Sequence, residues 1–122
     1  MLDRAGKITH ALHTAAGDLR HTRMSDIHDR ISASFEAQER MATIGAKLAL
    51  VADGEVHIAL RFSRCPTQQQ GYLHAGAVSS VADSACGYAA LTKAPRECEV
   101  VTAEFKINLL RLALGEHFLA LG

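Results

Sequence analysis

Apolar residues recur along this chain with two different periods, and the change from one to the other marks out the elements. From Asp26 to about Met41, Ile27, Ile31 and Phe35 lie on one face at helical spacing, Gln38 continues the row, and Ser25 or Asp26 stands where a helix cap belongs. A helix with one side against the rest of the protein is predicted there. The period then falls to two. Ala46 to Val51 leads through Asp53-Gly54 into Glu55 to Ser63, where Val56, Ile58, Leu60 and Phe62 alternate with Glu55, His57, Ala59 and Arg61. This is the pattern of a β-hairpin, with glycine supplying positive φ in the turn and the second strand burying one face.

Cys65-Pro66-Thr67-Gln68-Gln69-Gln70-Gly71 breaks both periods and reads as a loop. In the stretch from Ala75 to about Leu91 that follows, eleven of the sixteen residues from Ala75 to Ala90 are Ala, Gly or Ser, and Asp83 is the one charge. A helix so small and apolar is expected to be covered on most sides, because short side chains let a sheet or a partner backbone approach closely. Lys93-Ala94-Pro95 ends it. Beyond it Val101, Ala103, Phe105, Ile107 and Leu109 alternate with Thr102, Glu104, Lys106 and Asn108 and predict a long strand, and a further strand is predicted from Glu116 to Leu121. The order of helix, two strands, long central helix and two strands predicts an α+β fold with an antiparallel sheet.

A chain of 122 residues that is 48% hydrophobic has room for one core, so residues 24–122 are read as one domain. Residues 1–23 differ. Ile8, Leu12, Ala15 and Leu19 keep only a thin helical stripe broken by Gly6 and Gly17, and Met24-Ser25-Asp26 reads as a natural start, so an upstream extension, weakly helical or disordered, is expected. Lys plus Arg and Asp plus Glu both number 13, which removes the general field that draws basic proteins to nucleic acid or anionic membranes and leaves any anionic ligand to a local site. Cys65, Cys86 and Cys98 are odd in number and scattered, so neither a disulfide framework nor a zinc site is suggested, and Cys86, small and amid alanines, is expected in the core. The histidines lack metal-ligand spacing, and no metal or cofactor is expected. With no apolar run approaching the roughly 20 residues of a membrane span, a soluble, cytoplasmic protein is expected.

Asp83 carries the chemical interest. A lone carboxylate on a small apolar helix is costly unless it is hydrogen-bonded, paired or open to a cleft. It can simply hold a backbone group or an arginine, but Ser79, Ser80 and Gly87 leave room for a ligand beside it. The start of the same helix offers unpaired N–H donors and a partial positive charge, which suit a carbonyl oxygen becoming an oxyanion. The steps from Ala75 to Asp83 span about 12 Å at helical rise. One carbonyl cannot reach both unless the chain curves or a second subunit supplies one part, so the spacing points to a site shared across a dimer.

The run from Gly71 to Ala90, opening at His74-Ala75-Gly76 with Asp83 nine residues after the histidine, resembles the signature helix of hotdog-fold acyl-CoA thioesterases of the PaaI type. The stretch from Val100 to Arg111, followed by Gly115, is similar to the strand that comes next in that family, and with the hairpin the likeness covers roughly residues 31 to 122. The fold it implies is a hotdog, a long central helix wrapped by an antiparallel β-sheet, here lacking the last two strands that such domains carry beyond the position of Gly122. The reaction it implies is hydrolysis of an aromatic or fatty acyl-CoA to free acid and CoA. Asp83 would activate water or attack the thioester carbonyl, and the Ala75 N–H would form the oxyanion hole that a glycine usually supplies. Gln68 falls where the family has an Asn or Gln that orients water or the carbonyl, and Thr102 where a Ser or Thr positions the water from the partner subunit. His74 is implied to order the helix entrance rather than act as a base, and with Gly76 and Gly87 it is expected to border the substrate. Tyr88 and Phe105 are read as packing residues. Coenzyme A enters as part of the substrate, with Arg61, Arg64, Lys106 and Arg111 as candidates for its phosphates, and self-association as a homodimer or homotetramer is implied.

Rival readings remain beside this one. Hotdog dehydratases and hydratases act on acyl thioesters too, but His117-Phe118-Leu119 is not followed by their Pro-Gly opening. A non-catalytic acyl-CoA-binding module on the same fold is a second. A truncated, inactive thioesterase is a third, since missing strands leave an edge open to aggregation or pairing and Arg111-Leu112-Ala113-Leu114-Gly115 stands where the family has Arg-Pro-Ala-x-Gly.

Overall fold

The computed structural model describes residues 22–62, 67, 68 and 70–122. The expected extension, apart from its last two residues, and the loop residues 63–66 and 69, with Arg64 and Cys65 among them, lie outside the described residues.

The helix expected to about Met41 is two helices. Helix α1 covers 22–36 and α2 covers Glu39–Ile44. The end of α1 tightens as the Gln38 N–H donates to the Phe35 carbonyl at 3.0 Å, and Gln38 then turns to extended backbone at φ −83°, ψ 96°. The break changes direction so that Ile31 and Phe35 of α1 and Met41 of α2 all enter the core, which one straight stripe would not allow. Gly45 closes α2 in the left-handed conformation, φ 73°, with its N–H on the Met41 and Ala42 carbonyls.

Strands β1 (Ala46–Ala52) and β2 (Glu55–Arg61) form the expected hairpin around Gly54, whose φ is 86°. Their register runs from Ala52 opposite Glu55 to Ala46 opposite Leu60, with a bulge between Leu48 and Leu50. Strand β3 (His117–Leu121) pairs antiparallel with the other side of β2, so β2 is central in a three-stranded sheet. Val56, Ile58 and Leu60 of β2 are buried as the period-two pattern predicts, but the strand ends at Arg61, and Phe62, expected on the same face, is exposed.

Helix α3 (Ala75–Lys93) lies across that buried face. Its core residues Ala77, Val81, Ala85 and Ala89 recur every fourth position, a low ridge that lets the sheet come close. The approach is tightest at Gly122, where an added Cβ would overlap the backbone of Ala85 and Cys86. The hairpin turn is tied to the far end of the helix: the Gly54 N–H donates to Thr92 Oγ1 at 2.7 Å, and Lys93 Nζ meets Asp53 Oδ2 at 2.8 Å.

Three expectations fail here: a strand at Val101 to Leu109, the packing of Phe105, which is 55% exposed, and the burial of Cys86. The stretch predicted as a strand at Val101 to Leu109 is not one; residues 98–114 have no ladder, and Val101 and Leu110 are 87% and 88% exposed. The alternation is present, but a strand exists only where a neighbour takes its N–H and C=O groups, and none of the described residues does so. Cys86 is exposed rather than in the core, because the sheet covers one face of α3 and Cys86 points away from it.

Candidate active site

The start of α3 is organised by His74. It occupies the N-cap in extended backbone, φ −65° and ψ 133°, and its Nδ1 accepts the Gly76 N–H at 2.9 Å. The Ala77 and Val78 N–H groups donate to the His74 carbonyl at 2.9 and 3.2 Å. The imidazole therefore works as a cap, with its proton on Nε2, and is not placed as a base. Gly76 makes this possible: a Cβ there would sit 3.0 Å from His74 Nδ1. One donor of the first turn stays open, since among the described residues the Ala75 N–H has no acceptor. No described residue other than glycine has positive φ, so alanine presents that N–H as a glycine would.

Gln68 comes to the same place from the preceding loop. Its N–H donates to the Tyr72 carbonyl and its carbonyl accepts the Gly71 N–H, each at 2.9 Å, in a tight turn that Gly71 permits at φ 81°. Gln68 and Ala75 line one pocket of about 470 Å³, whose other wall includes Leu109, Arg111 and Leu112. An apolar pocket of about 380 Å³ adjoins it, sharing Leu73, Val78, Leu112 and Ala113 and reaching Phe118 of β3.

Asp83 stands two turns further along α3, half-buried, and Thr102 Oγ1 donates to its Oδ1 at 2.7 Å. The contact lies within one chain. A cavity of about 130 Å³ opens beside the pair, with Gly87 on its wall, where an added Cβ would meet nothing. Its floor is a polar network that the sequence did not disclose. Gln38 Nε2 donates to Tyr88 Oη at 2.8 Å, Ser34 Oγ lies 3.3 Å from the same hydroxyl, and Ser84 Oγ donates to Gln38 Oε1 at 3.4 Å. Gln38 is the N-cap residue of α2 yet makes no capping bond; its amide serves α3 instead. The one available signal was Gln38 itself, a polar residue continuing an apolar row. Tyr88 does pack, at 6.1 Å from the Phe35 ring, but its hydroxyl is bonded as well.

The structure thus gathers the expected residues into two groups. His74, Ala75, Gly76 and Gln68 meet at the helix start, and Asp83, Thr102 and Gly87 meet two turns away in a different cavity. Among the residues considered for phosphate binding, Arg111 borders the helix-start pocket, while Arg61 and Lys106 are exposed and line neither pocket.

The chain and its fold have counterparts among known proteins. The profile of the Thioesterase superfamily matches residues 70–120, the segment that holds Asp83, Ala75 and Thr102. The chain is similar to a thioesterase family protein from Silicibacter pomeroyi at 45% identity over 76% of this chain and 68% of that one, with a TM-score of 0.74. It shares its fold with the Escherichia coli PaaI protein from the phenylacetic acid degradation operon (17% identity, 80% and 70% of the chains, TM-score 0.71). It shares it also with a conserved protein from Pseudomonas aeruginosa (23% identity, 70% and 72%, TM-score 0.63). Among curated proteins no sequence matches significantly. The long small-residue helix packed on an antiparallel sheet, and this identity over more than two thirds of both chains, show that the chain belongs to the thioesterase superfamily and has its hotdog fold.

Proposed function

We propose that the chain hydrolyses acyl-CoA thioesters to a free carboxylic acid and CoA, with Asp83 activating the water, in a site completed by a second copy of the chain. The setting of Asp83 carries this reading: a half-buried carboxylate beside a polar cavity, with one oxygen taken by Thr102 and the other left for water. Asp83 Oδ2 accepts a proton from water as the water oxygen bonds to the thioester carbonyl carbon. The carbonyl oxygen becomes an oxyanion, received by the open Ala75 N–H at the positive end of α3, with Gln68 beside it. The C–S bond then breaks and the proton passes to the departing CoA sulfur. The apolar pocket behind Leu73, Val78 and Phe118 suits the acyl group. No cofactor enters these steps.

In one chain the carboxylate and the oxyanion donor face different cavities, which is the reason for invoking the second copy. A two-fold pair places each Asp83 against the other chain's helix start and makes two equal sites. The exposed side chains of Val101, Phe105, Leu109 and Leu110 supply apolar surface for that association. No described helix is long and apolar enough to cross a membrane, and the free Cys86 and Cys98 suit the cytoplasm.

Hydrolysis of a panel of aryl and fatty acyl-CoAs by the chain and its Asp83→Asn variant tests the proposal. The variant is expected to lose about 10²- to 10⁴-fold in rate. An unchanged rate removes Asp83 from the chemistry, and binding without hydrolysis by the unaltered chain makes it a binding module.

A further inference from the structure

A further pocket, of about 250 Å³, lies between α1 and the C-terminal end of α3; it shares Leu91 with the Asp83 cavity and no residue with the helix-start pocket. Its floor is apolar: Ile31 and Leu91 are buried core residues, and Ile27 packs against them. Its rim holds Arg23, Arg30 and Arg96 against one carboxylate, Asp26. That carboxylate lies 3.8 Å from the Arg96 guanidinium, so the rim carries a net charge of two positives, three less one. Arg30 donates from Nη1 to the Pro95 carbonyl at 3.2 Å and from Nη2 to the Cys98 carbonyl, which fixes its guanidinium plane and leaves three of its five N–H donors unused by those bonds.

Cationic rim and apolar floor select one kind of ligand, an anion with an apolar body. The volume narrows it further. Sites for drug-sized ligands run from about 300 to 1,000 Å³, so this pocket takes something smaller than an acyl-CoA. We propose that it binds a small monocarboxylic acid, carboxylate on the arginine rim and hydrocarbon on Ile27, Ile31 and Leu91. If the thioesterase reading holds, such an acid is the released product, and the pocket is a second place for it; the identification of the acid with the product rests on that reading, the binding does not.

Calorimetry on the full chain with hexanoate and benzoate, their neutral amides and inorganic phosphate tests this without turnover. The acids are expected to bind at millimolar concentrations, the amides and phosphate at least about tenfold more weakly. Arg96→Glu, at an exposed position, and Ile27→Trp, which fills the pocket without changing its charge, should each weaken the acid at least about tenfold, while Asp83→Asn should leave it unchanged. Acid binding that survives both pocket variants, or disappears with Asp83→Asn, places the ligand in the catalytic cavity and overturns the proposal. So does absence of binding, or phosphate binding as well as the acids. The thioesterase reading fails separately, by the absence of acyl-CoA hydrolysis.

Discussion

At the scale of single residues, the open Ala75 N–H is the most testable detail, because a backbone donor can be removed without touching a side chain. Proline is tolerated at the first helical position, and His74 already has the extended backbone, ψ 133°, that a residue before proline requires. Ala75→Pro is therefore expected to keep or slightly raise the melting temperature while lowering acyl-CoA hydrolysis by about 10²- to 10³-fold. Hydrolysis unaffected in a folded Ala75→Pro protein would show that the donor lies elsewhere. Asp83 and His74 stand out in the sequence because each breaks a local rule, a charge among alanines and a histidine at a helix start; Ala75 breaks none, and its proposed role came through the family likeness. Gln38 does not stand out. Its position in an apolar row predicted which face it shares, and nothing in that row tells that the helix stops before it and frees its amide for Tyr88 and Ser84.

At the scale of elements, the contacts between sheet and α3 decide stability. Gly122→Ala pushes a methyl into the backbone of Ala85 and Cys86, which no rotamer can relieve, and is expected to cost about 1–3 kcal/mol in chemical denaturation. No measurable loss would mean that β3 docks more loosely than the structure shows. The hairpin turn offers a pH test. The Lys93 ammonium hydrogen-bonds Asp53 and holds its carboxyl below the ordinary value. A lowered pKa contributes stability above the unfolded value that is lost as pH falls through the folded one. Asp53→Asn should then lower the melting temperature slightly near neutrality, the pair being exposed, and the difference should close in acid. A difference that persists or widens in acid contradicts the role given to the pair. The hairpin and α3 were readable because both are set by local signals, Asp53-Gly54 and the run of small residues. The stretch from Val101 to Leu109 was misread for the opposite reason: alternation is local, and a ladder is not.

At the scale of the whole molecule, the α+β architecture was readable from the sequence, and the two components of the candidate site, the start of α3 and Asp83, were both pointed to there. The eight-step separation of Ala75 and Asp83 persists in the fold, because a straight helix cannot bring its own positions together. On the proposed reading, each chain therefore presents half of two sites. Mixing two inactive variants tests this most directly. Asp83→Asn and Ala75→Pro chains, unfolded together and refolded in equal amounts, form hybrids that hold one intact site and one doubly altered site. If the site is shared, acyl-CoA hydrolysis returns to roughly a quarter of the unaltered level, half of the pairs being hybrid with one working site of two. If the mixture is no more active than the mean of the two variants alone, the site lies within one chain and the account is wrong.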